Sequence, residues 1–307
     1  MDLAPIVLFV YNRPEHTLRV LEALEGNHLA NQSKLYIFSD GLKVNASKED
    51  LNNIHYVRKI IKSKNWCKEV FITERIENLG LANSVIKGVS QVVEQYGKVI
   101  VLEDDILTGK YFLKFMNDAL ITYKNEELVF GVTGYKYPTK TAIKKQTYFL
   151  PIASSWSYGT WVNRWKQVDF NGCELIEAIE SSKLERKMNF GNYPFYQMLK
   201  DQINGLNSSW AIRFYASMFL KEKYFLYPNV SLVENIGFDN TGEHCSKDDF
   251  FSNIKLYDNQ IRVVQMRPNL NQNLVKLFEN SFKSREIKNK ISVFSRIINK
   301  VKRFFSI

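Results

Sequence analysis

The chain of 307 residues is 45% hydrophobic and 24% charged, an ordinary balance for a soluble globular protein, and can form one large domain or two small ones. Its net charge of +10 would suit a nucleic-acid binder, but residues 282–307 carry eight basic side chains and one acid, a net of +7. The remaining body is close to neutral, which argues against a nucleic-acid surface.

The opening, MDLAPIVLFVYNRPEH, lacks the basic flank of a secretion signal, and no stretch nears the roughly 18 apolar residues of a membrane-spanning helix. Cys67, Cys173 and Cys245 are widely spaced and odd in number, which reads as reduced thiols in a cytoplasmic protein. In chain order, apolar runs of strand length occur at 5–11, 34–40, 69–73 and 98–104. Between them, Leu18, Leu21 and Leu24, and later Val85, Val89, Val92 and Val93, recur with helical spacing. Strand and helix in alternation predict an α/β fold with a doubly wound, mostly parallel sheet and helices on both faces.

Ligands of such sheets bind beyond the carboxyl ends of the strands. The first run ends in Asn12-Arg13-Pro14, the second in Asp40-Gly41 and the fourth in Glu103-Asp104-Asp105. Pro14 suits the first turn of a helix with Asn12 or Arg13 near its cap, and a helix start beside an arginine is an anion site. Three adjoining carboxylates at the end of a buried strand repel one another and resist burial, so they await a cation. Mg²⁺ or Mn²⁺, held by one or two carboxylates and by substrate phosphates, fits that rim, and a diphosphate would satisfy the Arg13 side. Asp40-Gly41 alone is also an ordinary turn.

After 136 the pattern changes to a basic loop, then the aromatic segment SSWSYGTWVNRWKQVDF, helical stretches to about 226, and a glycine-punctuated loop containing Gly237 and Gly242. Trp156, Tyr158, Trp161 and Trp165 could stack on sugar rings, with core packing expected for at least half of them. His244 suits a metal ligand or a phosphate donor. The expected organisation is a nucleotide-sugar half over 1–135, an acceptor-side half over 136–280 and a basic amphipathic tail over 281–307. In that tail Ile287, Ile291, Phe294, Ile298, Val301 and Phe305 share one helical face and basic residues crowd the other. This fits either an anionic membrane surface on the inner face of the cell membrane or packing on the body.

PIVLFVYNRP, FSDG, NLGLANSV and VIVLEDD together resemble the GT-A glycosyltransferases, and among them the N-acetylglucosaminyltransferase I family with its bacterial sugar-transferase relatives. The likeness covers 5–120 well and SSWSYGTWVNRW and YPNVSLVENIGFDNTGEHC more thinly. It implies a nucleotide-sugar donor, most simply a UDP-sugar, and inverting transfer to a hydroxyl of a glycan or lipid-linked acceptor. It also implies Mn²⁺ or Mg²⁺ on Asp105, joined by His244, with Glu103 and Asp104 on the sugar or ribose. Asp40 would face the base, Arg13 the diphosphate, and Asn12 and Asn83 would line the donor site. The family's catalytic aspartate beside a tryptophan is missing here: the stretch reads NSSWAIRF around Trp210, leaving Asp201 and Asp239 as the nearest candidate bases. Two rivals are a nucleotidyltransferase, which would want a glycine-rich phosphate loop where NRPEHT stands, and a non-catalytic membrane-associated binding protein.

Overall fold

A computed structural model describes residues 2–239 and 254–283. In order the chain forms β1 (Ile6–Val10), α1 (Pro14–Glu25), β2 (Lys34–Ser39), α2 (Lys48–Ile61), β3 (Glu69–Glu74), α3 (Gly80–Tyr96), β4 (Lys98–Glu103), β5 (Ile106–Thr108) and α4 (Phe112–Thr122). There follow β6 (Val129–Thr133), β7 (Thr147–Leu150), β8 (Tyr158–Trp161), α5 (Val162–Trp165), α6 (Gly172–Ser181), α7 (Glu185–Met188), α8 (Phe195–Ile203), α9 (Trp210–Leu220), β9 (Tyr224–Pro228) and β10 (Val233–Asn235). Residues 272–283 are also helical.

The main sheet has eight strands in the order β3-β2-β1-β4-β8-β6-β9-β7. Strands β3, β2, β1 and β4 are mutually parallel, as are β6 and β9; β8 runs against both its neighbours and β7 against β9. The expected mostly parallel, helix-covered sheet is therefore present. The strand period of two divides its side chains between two cores. Val7, Phe9, Val99 and Val101 face one core, with Val85, Val89, Val92 and Val93 of α3 and residues of α6, α8 and α9. Ile6, Leu8, Val10, Ile100 and Leu102 face the other, with α1, α2 and α4. The four α3 valines are fully buried, and each gains about 1.5–3 kcal/mol over exposure.

Past residue 136 the sequence reading needs correction, because it named a basic loop, an aromatic segment and helical stretches but no strand, and β7, β8 and β9 lie there. These strands span four or five residues and carry aromatic or glycine positions, too short a run for a period of two to register. Phe278 and Phe282 of the 272–283 helix are buried, Phe278 against Tyr148 (5.3 Å) and Phe282 against Tyr137 (5.0 Å). The first residues of the expected basic tail thus pack on the body, and the rest, 284–307, lie outside the described residues. Among the described residues no helix is long and apolar enough to cross a membrane.

Candidate active site

Three strand ends build one rim. At the first, Pro14 opens α1 with Arg13 as the residue before it, and the Thr17 hydroxyl donates to the Arg13 carbonyl (2.8 Å). Pro14 fixes the backbone turn that sends the Arg13 side chain across to β4. Asn12 donates its amide to Asp50 (2.6 Å), which closes a capping box with Ser47 at the start of α2.

At the end of β4, Arg13 Nη2 donates to both Asp104 and, at 3.1 Å, Asp105. Burial opposes the Arg13 charge, but these two carboxylates outweigh it and hold the guanidinium firmly protonated. Burial raises the Asp105 carboxyl, and Arg13 pulls it back. Glu103 makes no hydrogen bond among the described residues. Although part of it opens on the cavity, protein surrounds it closely, and burial plus repulsion from Asp105 and Asp104 push its carboxyl up to about 8.

A second segment covers this cluster. β10 pairs antiparallel with β5, immediately after Asp105, and the Ile236 amide donates to the Asp105 carbonyl (2.9 Å). Gly237 then passes so close that a Cβ there would lie 2.4 Å from Asp105 Oδ2 and 3.2 Å from Arg13 Nη1. Nη1 is buried without a hydrogen-bond partner among the described residues.

At the second rim, Asp40 accepts from the Leu79 and Gly80 amides (3.0–3.1 Å), placing its charge at the α3 N-terminus. Gly41 is required there, since a Cβ would lie 2.4 Å from the backbone of Ile76 and Glu77. Asp40-Gly41 is not a turn here: the chain runs on to Leu42, which bridges Glu77, and the Asp40 carboxylate fastens the start of α3.

The rims open on a cavity of about 550 Å³. Asn12, Arg13, Asp40, Glu103, Asp104 and Asp105 all line it, although they span 94 positions of sequence. Asn83 does not: it is exposed on α3 and donates to the Leu79 carbonyl. Nor does Asp201, because α8 turns it outward to accept from Gln197 (2.8 Å). Asp239 is off the wall as well, 44% exposed and 3.1 Å from His16. His244 and Gly242 lie outside the described residues.

Of the four aromatics singled out in 156–165, Tyr158, Trp161 and Trp165 belong to the core, Trp161 donating to the Leu120 carbonyl and Trp165 to Ser90. Trp156 lines the cavity. Sequence reasoning missed Lys43, Tyr193 and Phe282 on this wall. Nothing local marks them, since the 191–195 turn and the 272–283 helix reach the site only through long-range packing.

The chemistry of the acid cluster suits a divalent ion. Its oxygens are hard donors, and Arg13 already stands against them as a cation, yet one guanidinium does not balance three carboxyl groups. Among the described residues no three His, Cys, Asp or Glu side chains are gathered to hold an ion alone. This suits a metal that takes one or two carboxylates here and completes its shell with substrate phosphate. The residues fit the group.

No family model matches the chain, and no curated protein matches it. Among solved structures it is similar to a mannosyltransferase, PcManGT of Pyrobaculum calidifontis, in complex with GDP-Man and Mn²⁺. The identity is 11% over 70% of this chain and 73% of that one, with a TM-score of 0.36. It is also similar to S. aureus TarS (12% identity, 75% and 36% covered, TM-score 0.40). A third is the galactosyltransferase LgtC with donor and acceptor sugar analogues (9%, 72% and 72%, 0.38). Two of the three are named as sugar transferases. None is named as an N-acetylglucosaminyltransferase I, and that narrower likeness gains no support.

Proposed function

We propose that the protein is a metal-dependent glycosyltransferase that moves a sugar from a nucleotide-sugar donor, a UDP-sugar in the simplest case, to an acceptor hydroxyl with inversion. The observation that carries this reading is Arg13 clamped to Asp104 and Asp105 beneath Gly237, on the wall of a cavity of about 550 Å³. Arg13 has a second nitrogen, unpartnered among the described residues, to offer a diphosphate. Asp105, with Asp104 beside it, would hold Mn²⁺ or Mg²⁺. The metal, when bound, would neutralise charge developing on the leaving diphosphate.

The chain's own residues supply the rest. Asp40 secures the α3 start, and Phe9 stacked on Phe38 (5.5 Å) gives the same end of the cavity an apolar wall for the nucleoside. Of the three strand-end acids, Glu103 is the one without an arginine hydrogen bond. We assign it the acceptor hydroxyl's proton once its own has left, as a cation held beside it on Asp105 would draw that proton off, because Asp201 and Asp239 do not reach the cavity wall. Gly237 and its neighbours cover the acids and limit water there.

Steady release of nucleoside diphosphate from a panel of nucleotide sugars, with and without Mn²⁺, tests the reading. Turnover that depends on Mn²⁺ and is lost in Asp105→Asn is expected. Stoichiometric binding without turnover would instead favour a binding protein, and loss of neither property in the variant would remove Asp105 from the site.

A further inference from the structure

One stretch of backbone rests on two groups that the glycosyltransferase reading gives to the metal and the diphosphate. A Cβ at Gly237 would stand 2.4 Å from Asp105 Oδ2 and 3.2 Å from Arg13 Nη1, so the chain lies against both atoms. Nη1 is buried, as are the side chains of Asp104 and Asp105. Gly237 in this place and a diphosphate on Nη1 exclude one another, because both would fill the same space.

Contacts on either side hold the stretch down. Before it, β10 is fastened to β5, and the Ile236 amide donates to the Asp105 carbonyl (2.9 Å). Beyond it, Phe238 stands edge-on to Trp156 (5.5 Å), and Asp239 Oδ2 lies 3.1 Å from His16 Nε2. His16 follows Arg13 by three residues in the first turn of α1, so the two can face the same segment. His16 is largely buried and Asp239 half exposed, and a pair that reaches water on one side opens at little cost.

Resting on the glycosyltransferase reading, we propose that residues 236–239 gate entry to the diphosphate site and that His16, through Asp239, is the latch. The segment lifts from Arg13 and Asp105 to admit a nucleoside diphosphate with its metal, and the rate of that opening limits capture. His16 is thus a positioning residue, acting on the cover that Asp239 belongs to.

Stopped-flow mixing of the full chain with UDP, GDP, ADP and dTDP in turn, each with Mn²⁺, measures the gate. Tryptophan fluorescence is the readout, since Trp156 stands beside Phe238. Observed wild-type rates should level off as nucleotide rises, at the opening rate. His16→Ala should raise that plateau about three- to tenfold, the worth of one partly exposed hydrogen-bonded pair. The plateau is a unimolecular rate, so the altered charge of a variant, which acts on encounter, does not set it. Asp239→Ala should raise it equally and add little to His16→Ala, as expected of two residues that act as one pair. His16→Gln, which keeps a donor, should restore the wild-type plateau. Should His16→Ala fail to fold, the half-exposed Asp239→Ala carries the same test alone. Rates that rise in proportion to nucleotide without levelling off, or plateaus unchanged in the variants, would overturn the proposal. Failure of all four nucleotides to bind would instead overturn the reading beneath it.

Discussion

Arg13→Ala isolates the charge balance at the end of β4. The side chains of Arg13, Asp104 and Asp105 are only 16%, 7–9% exposed, so the arginine is the near, buried counter-ion of both carboxylates. Removing one partner of such a pair costs about 3–5 kcal/mol, and the low end applies because the site opens on a cavity. For a chain of this size about 3 kcal/mol lowers Tm by roughly 5 °C. The loss should be largest in metal-free buffer near pH 8 and shrink as acid protonates the freed carboxylates. Mn²⁺ should recover more Tm in the variant than in the wild type, since the ion then meets acids that no longer hold an arginine. Nucleoside-diphosphate affinity should fall about ten- to a hundredfold, the worth of charge-assisted bonds of roughly 1.5–3 kcal/mol. Differential scanning calorimetry across pH and Mn²⁺ concentration measures the first effects and titration calorimetry the last. A variant with wild-type Tm at pH 8 without metal would refute the reasoning.

Glu103→Gln should change the pH dependence of folding. With its carboxyl pushed up to about 8, folded Glu103 keeps a proton that the unfolded chain releases in the ordinary carboxylate range. Its contribution is therefore present at acid pH and is lost as pH rises toward 8. Metal-free urea unfolding at pH 5 and pH 8 should show that fall, roughly 3–4 kcal/mol, in the wild type and not in the variant; parallel curves would contradict it. Gly237→Ala must displace Asp105 or the covering backbone, so it should cost about 1–3 kcal/mol and weaken Mn²⁺–diphosphate binding. Unaltered binding by calorimetry would mean that the segment yields freely. Asp40→Ala removes the acceptor of the Leu79 and Gly80 amides and should cost about 1–2 kcal/mol in chemical unfolding, whereas Asp40→Asn should cost less.

The parallel half of the sheet was legible because β1, β2 and β4 are nearly all apolar, the mark of strands covered on both faces. Their carboxyl ends therefore located the rim, and Arg13, Asp40 and the three acids followed from it. What was hidden depends on distant partners. Glu103 is set apart from Asp104 and Asp105 by Arg13, some ninety residues earlier, which bonds to the latter pair and not to it. Asp201 drew notice by its nearness in sequence to Trp210, but the helical phase of α8 carries it outward. The aromatic wall of the cavity is assembled from a turn, a loop and a helix between positions 137 and 282, and no single window of sequence contains it.

The ribbon of β5 and β10 also acts as a gauge of correct assembly. Its register sets Val233 opposite Thr108 and Asn235 opposite Ile106, and thereby sets which residue arrives over Asp105. Only at 237 does the chain offer a residue with no side chain; its neighbours are Ile236 and Phe238. A ribbon zipped one residue out of step would bring one of these bulky groups to a place where even a methyl clashes. Misregistered chains could not shut over the acids, so the acid cluster also proofreads the folding of the strand that covers it.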